Sequence, residues 1–333
     1  MTIQLGFWGD SPQTQTTPDC TPKEAISKII WSYYRRSTFE QCLRRYYYEY
    51  YGANKQTAKQ DQDKAMLHFL KRVQTRHERA GSILHLIIAT YLKKRRGGEV
   101  WEESRLIKWA NDMFQRDIQY SQSHPNGDEA PDSNFPPVLL REFHYHDQHA
   151  SELCGEIGER LTHAISFFAN NKSLEEFRIS GSTPEASIEQ AINIRLTSTC
   201  RIEGRVDLAY NTKNHVTVVD WKLGVEDGTG DDSLQLGVYA LWATTERYKC
   251  DPNLLRVCKV HFGSSTIVDF KVTQSLLGDT RARILQDAER MLSLQRHGQN
   301  SNISAFTPCI YPKVCEGCNF LKVCPEGKEC LND

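Results

Sequence analysis

The stretch Glu203–Lys222, EGRVDLAYNTKNHVTVVDWK, decides the fold. Two β-prone runs flank a polar cluster, Asn211-Thr212-Lys213-Asn214, that suits a turn. The stretch therefore reads as a β-hairpin. A four-residue loop without a bulge sets Tyr210 opposite His215, Asp207 opposite Val218 and Arg205 opposite Asp220. Side chains alternate across a strand, so Asp207, Asp220 and Lys222 share one face. Val206, Leu208, Val219 and Trp221 fall on the other, which is apolar and should pack on a core. Asp207 and Asp220 become diagonal neighbours, with α-carbons roughly 7–8 Å apart.

Two carboxylates do not converge without a reason. Like charges about 4 Å apart repel by roughly 4 kcal/mol at an effective dielectric of 20. A hard divalent cation between them reverses that sign, and Mg²⁺ favours a few carboxylates plus water and phosphate oxygens. Lys222 lies two residues beyond Asp220 on the same face, where a cation can orient an attacking water and steady charge growing on a phosphate. The carbonyl of Trp221 is a further possible ligand. Spacing alone equally suits a surface hairpin with an ordinary Asp–Lys pair.

The 333-residue chain, 39% hydrophobic and 25% charged, is long enough for a substantial core in one large domain or two ordinary ones. A formal net charge of −1 argues mildly against a nonspecific polyanion binder but leaves room for a local basic groove. No apolar run approaches a membrane span, so no membrane partner is expected. The first twenty residues hold no Lys or Arg and no apolar centre, unlike a secretory signal. Eleven cysteines, an odd number, are then expected to be thiols or metal ligands in a reducing cytoplasm.

Along the chain, residues 1–22 read as a loose leader. In STFEQCLRRYYYEYYG, Ser37 or Thr38 can cap a helix, and Phe39, Cys42, Leu43, Tyr46 and Tyr50 recur on one face. Arg35, Arg36, Arg44 and Arg45 interleave with tyrosines there, which suits single-stranded nucleic acid or a buried aromatic face with solvated arginines. AGSILHLIIATYLKKRRGG reads as a helix opened by Gly81, with Leu84, Ile87, Ile88 and Tyr91 on its apolar side. His85 lies within it, and a lone His there is more often a core residue than a ligand. Residues 99–120 and 150–170 look helical, and 121–137 look like a turn-rich loop. INIRLTSTC should be a strand pairing with the hairpin. Gly204 marks a bulge or a close backbone approach, and Glu203 is a weak third-carboxylate candidate. DDSLQLGVYALWATTER reads as a helix on which Gln235 and Tyr239 point the same way. RVCKVHFGSSTIVDFKV supplies two strands, and 273–297 a final helix. The tail CIYPKVCEGCNFLKVCPEGKEC carries Cys309, Cys315, Cys318, Cys324 and Cys330, a density that points to a metal. Cys315-x2-Cys318-x5-Cys324 supplies three thiols, whereas a tetrahedral zinc or a cubane cluster needs four; Cys309 or Cys330 could complete the set locally.

Asp207 followed by Asp220-Trp221-Lys222 resembles the PD-(D/E)xK nuclease signature, and GRVDLAY with VVDWKLG resembles its RecB-like branch, which includes CRISPR-associated exonucleases. Gly81-x-x-x-His85, Gln235-x-x-x-Tyr239, the early Cys42 and the late cysteine triplet followed by Pro325 resemble further motifs of that branch, in order from about Ser37 to Pro325. Leu43 stands where Pro is usual after the early Cys. The resemblance implies an α/β fold: a restriction-endonuclease-like mixed central sheet flanked by helices, with N-terminal helical additions and a C-terminal cysteine-rich iron–sulfur cap. It divides the chain into a leader (1–22), a helical region with Cys42 and His85 (23–190), a nuclease core (191–297) and a cluster-binding segment (298–333). It implies that His85, Asp207, Asp220 and the Trp221 carbonyl bind Mg²⁺ or Mn²⁺, that Lys222 assists the attacking water, and that Gln235 and Tyr239 position the strand. It implies a 4Fe–4S cluster on Cys42, Cys315, Cys318 and Cys324, with zinc as the competitor. The expected activity is a metal-dependent DNA nuclease, chiefly a single-strand exonuclease acting at DNA ends in repair, CRISPR adaptation or antiviral defence. The alternatives are a DNA-binding or scaffolding subunit of a helicase or integrase complex, and a zinc-stapled RNA-processing factor.

Overall fold

A computed structural model describes residues 28–53, 61–127, 135–225, 233–298, 302–309 and 311–332. The expected leader falls outside them, as do residues 226–232 after the hairpin. Among the described residues six strands form one mixed sheet: β1 (Ile29–Trp31), β2 (Ser187–Arg195), β3 (Cys200–Asn211), β4 (Val216–Lys222), β5 (Leu255–His261) and β6 (Thr266–Lys271). Helices of nine residues or more are α1 (Tyr33–Gln41), α2 (Gln62–Leu70), α3 (Arg76–Arg96), α4 (Glu103–Ser123), α5 (Ala150–Asn170), α6 (Ser233–Trp242) and α7 (Gln274–Gly298).

The long strand β3 organises the sheet. Antiparallel β2 runs along one edge, from Ile188 opposite Leu208 to Arg195 opposite Arg201. The other edge is shared: parallel β1 pairs with Cys200–Ile202, and antiparallel β4 pairs with Leu208–Asn211. Between them, Glu203–Asp207 have no ladder partner on that edge among the described strands. β4 runs parallel to β5, and the two end together, Lys222 beside His261. One sheet face packs on α3, α4 and α5, through Leu84, Ile87, Phe114, Leu161 and Phe168 against Leu208, Val219 and Trp221. The other packs on α6 and α7, through Leu236, Tyr239, Ile284 and Met291 against Val206, Val218 and Val257. The mixed sheet flanked by helices is the architecture the sequence implies.

Several local expectations need correction. The hairpin register is shifted by two: Leu208 faces Val219 and Tyr210 faces Thr217, so Asn211 pairs with Val216 instead of entering the turn. The cause is Thr212, whose amide and hydroxyl both bond His215 O at 2.9 and 3.0 Å, closing the loop one residue later. Val206 and Leu208 do not share a face. Val206, Ile192 and Ile194 pack on the α6–α7 side, whereas Leu208 and Ile188 pack on the α3–α5 side. Strict alternation is therefore broken in both strands at the level of Asp207 and Glu189, where Glu189 has φ 52°. Gly204 carries no bulge and lies in register with Ile192.

Gly81 does not open α3. Thr75 does, with its hydroxyl on the Glu78 amide and Glu78 reaching back, a capping box that places Gly81 in the second turn. The first aromatic helix is interrupted at Cys42, which caps a new turn (Leu43–Tyr47) with its sulfur accepting from Arg45 N. Ser32, not Ser37 or Thr38, caps α1; Thr38 is buried and donates to Tyr34 O. The arginines of this region bond within the protein. Arg35 Nε donates to the Tyr46 hydroxyl at 3.0 Å, Arg36 pairs with Asp287, Arg45 with Glu49, and Arg44 reaches Phe306 O and Glu326.

Candidate metal centre

Trp221 is fully buried in β4 against Phe168, Phe177 and Phe262, which pins the ends of β3 and β4. Asp207 and Asp220 lie one residue beyond the last paired residues, Leu208 and Val219, of the two strands. Asp207 replaces the missing rung with its side chain, accepting from Trp221 N at 2.8 Å. α3 lays His85 over this point. Its Nδ1 lies 3.2 Å from Asp207 Oδ1 and 3.5 Å from Glu189 Oε1, and its Nε2 is 3.0 Å from Trp221 O. One imidazole thus touches β2, β3 and β4.

Ligand atoms of His85, Glu189 and Asp207 all lie within 4.8 Å of one another, a spacing one divalent ion can bridge. The donor set, two carboxylates, an imidazole and a nearby carbonyl, suits a hard or borderline cation that keeps some of its waters. Electrostatics agree. Burial pushes Asp207 above the usual carboxylate range despite the opposing pull of His85, and the charge of Asp220 adds to the rise. Burial by itself would lower His85, but Asp207 and Glu189 outweigh it and hold the imidazole up to about 10. A cation would relieve the crowding of negative charge.

Asp220 faces a second group. Its Oδ2 is 2.9 Å from Lys222 Nζ, and its Oδ1 accepts from Tyr239 Oη at 3.0 Å and from Gln235 Nε2 at 3.4 Å. Gln235 also donates to Tyr239 Oη at 3.0 Å. Tyr239 is buried, and burial followed by the Asp220 charge raises its phenol well above the ordinary value, so it remains a donor. Gln235 and Tyr239, expected to position the nucleic-acid strand, both hydrogen-bond the Asp220 carboxylate.

All the residues expected around the ion are brought together here, with Asp220 outside the tight trio. Glu203, the weak third candidate, pairs with Arg201 on the sheet surface. Glu189 takes that place. The expected strand began at Ile192, five residues late; the observed start at Ser187 sets Glu189 level with Asp207.

The cysteine residues draw the two chain ends together. Cys42 Sγ accepts from Cys309 N at 3.3 Å and from Arg45 N at 3.4 Å. Cys318 and Cys324 pack beside Tyr48 and Phe320. Burial raises the Cys318 thiol, and it feels both Cys42 and Cys324, with Arg45 favouring the thiolate. The side chain of Cys330 lies outside the described residues. No helix among the described residues is long and apolar enough to cross a membrane.

No curated protein matches the chain. Among solved structures, one described as the crystal structure of SSO0001 is similar at 15% identity, covering 66% of this chain and 97% of that one with a TM-score of 0.31. A family model for the PD-(D/E)XK nuclease superfamily matches residues 30–325, a span that holds every ligand described above. The chain belongs to the PD-(D/E)XK nuclease superfamily, whose members are metal-dependent nucleases acting on nucleic acid.

Proposed function

We propose that this protein hydrolyses phosphodiester bonds of DNA with Mg²⁺ or Mn²⁺, as a single-strand exonuclease of the RecB-like branch. The observation that carries the reading is His85, Glu189 and Asp207 within bridging distance of one another, with the Asp220–Lys222 pair on the next strand. His85, Glu189 and Asp207 would hold the ion, with Asp220 and the Trp221 carbonyl completing the set. Such an ion, when bound, neutralises charge developing on the scissile phosphate and acidifies a bound water. Lys222 is the residue we assign to the attacking water: Asp220 holds its ammonium at the site, where it can orient the nucleophile and steady the pentavalent charge. Tyr239 and Gln235 fix Asp220 by hydrogen bonds and act as positioning residues.

Cys42, Cys315, Cys318 and Cys324 would hold a 4Fe–4S cluster. The support is the convergence of Cys42 on the C-terminal cysteines, backbone N–H groups aimed at the Cys42 sulfur, and Arg44 and Arg45 close to the thiols. The thiol-rich chain suits a cytoplasmic setting, and repair, CRISPR adaptation or antiviral defence beside a helicase or integrase would use such an activity. Lys222→Ala is expected to abolish Mn²⁺-dependent cleavage of end-labelled single strands; cleavage at the unsubstituted rate would overturn the reading. Strands labelled at either end, single and double, fix polarity. Visible absorption of anaerobically purified protein, with iron and sulfide assays, separates the cluster from zinc.

A further inference from the structure

His85 divides the surface above the sheet into two depressions of different electrostatic character. The first, a cleft of about 390 Å³, opens where β4 and β5 end. Lys222 and Arg160 stand at its sides and His77 reaches in from the first turn of α3. His261 and Lys259 form its floor, both largely buried, with the Lys259 ammonium shielded from solvent. No Asp or Glu is among its lining residues. The second depression mixes signs, with Glu78 and Glu189 beside Lys93 and Arg205. A chain of net charge −1 has no general excess of cations, so their concentration in one cleft is a local feature. The ends of neighbouring parallel strands are also where an open sheet leaves a crevice for ligands. Asp220, in register with Lys259, turns its carboxylate to Lys222, Tyr239 and Gln235.

Resting on the nuclease reading above, we propose that this cleft is a phosphate subsite, holding the nucleic-acid phosphate next to the one cleaved. A phosphate there would meet Arg160 and Lys222 directly, over the buried charge of Lys259, with His261 and His77 as further donors. The strand would then cross His85 in one direction only, with its neighbouring phosphate on the β4–β5 side.

The test measures binding apart from cleavage, by fluorescence anisotropy of a short labelled single strand on Asp207→Asn protein. Adding Arg160→Gln or His261→Gln is expected to weaken binding roughly five- to tenfold, and Arg160→Gln to reduce the salt dependence by about one phosphate contact. Lys259→Met, close in shape, should also weaken it. Arg160→Lys should restore most of the affinity, and Arg205→Gln in the mixed depression should change it less than twofold. Thermal unfolding of each variant confirms that it folds. Unchanged affinity and salt slope in Arg160→Gln and His261→Gln, or an equal loss in Arg205→Gln, would overturn the subsite. Strands ending in 5′-phosphate, 5′-hydroxyl or 3′-phosphate identify the occupant. A loss confined to one phosphorylated end means a terminal monoester, and an equal loss in all means an internal diester. The two readings fail separately: unsubstituted protein that binds through this cleft but never cleaves sinks the nuclease reading alone. Unsubstituted protein that cleaves, while Arg160→Gln binds normally, sinks the subsite alone.

Discussion

Glu189 stands in the left-handed backbone region at φ 52°, a conformation that costs a non-glycine residue about 1–2 kcal/mol. Its neighbours in β2 are regular, so the strain is confined to the one residue that aims a carboxylate at His85. The strand turns over at this point, and the turn is what lets a residue of the outer strand reach the ion site. Replacement separates the two effects. Glu189→Gln keeps the strain and loses a ligand charge, so Mn²⁺ affinity by calorimetry and the cleavage rate should each fall roughly 10–100-fold. Glu189→Gly loses the ligand and relieves the strain, so its unfolding midpoint should not drop while its activity does. A midpoint lower by several degrees in Glu189→Gly would contradict the idea that the carboxylate alone justifies that backbone. The residue was not legible in the sequence. Strand alternation predicts side-chain direction only where the alternation holds, and it fails at this residue. Asp207, Asp220 and Lys222 were legible because a two-residue spacing in β4 survives any even shift in register.

At the scale of elements, α6 carries Gln235 and Tyr239 to Asp220, and its position depends on contact with α7. Gly237 makes that contact possible: a β-carbon there would lie 2.2 Å from Thr280 Oγ1. Gly237→Ala should therefore push the helices apart and cost about 1–3 kcal/mol. A chemical-denaturation midpoint shows the loss, and the cleavage rate should fall with it as Tyr239 leaves Asp220. Thr280→Ala in the same chain should recover most of both, since it removes the atoms in the way; no recovery would show that the damage lies elsewhere. The elements themselves were largely readable. Apolar periodicity located α3, α4, α5 and α7, and β-branched runs located β4 to β6. What the pattern missed were effects of single side chains: the Thr212 hydroxyl that moves the hairpin loop one residue along the chain, and the Cys42 sulfur that caps a fresh turn inside an otherwise continuous helical stripe. Both act through hydrogen bonds that apolar periodicity does not register.

For the whole molecule, the first helices and the last segment form one unit. Phe306 is fully buried against Tyr46, Tyr47 and Tyr51, Arg44 reaches Phe306 O, and Asn319 donates to Val73 O at 2.7 Å. Phe306→Ala should cost about 3–5 kcal/mol, a large share of the stability of an ordinary domain. Its effect should reach the far end of the chain, and amide exchange should show residues 33–52 losing protection together with 302–324. Protection lost only near residue 306 would show the two ends to be independent. The interleaved tyrosines and arginines, which also suited single-stranded nucleic acid, hold this seam together.

That seam has a bearing on how the polypeptide is made. Roughly 260 positions separate Tyr46 from Phe306, which at about 5–20 residues per second is some tens of seconds of translation. During that interval the N-terminal tyrosines have no permanent cover. A nascent chain would offer sticky aromatic surface to chaperones until residues 302–324 leave the ribosome, and premature termination before residue 302 would yield a product that aggregates instead of one that is merely shorter.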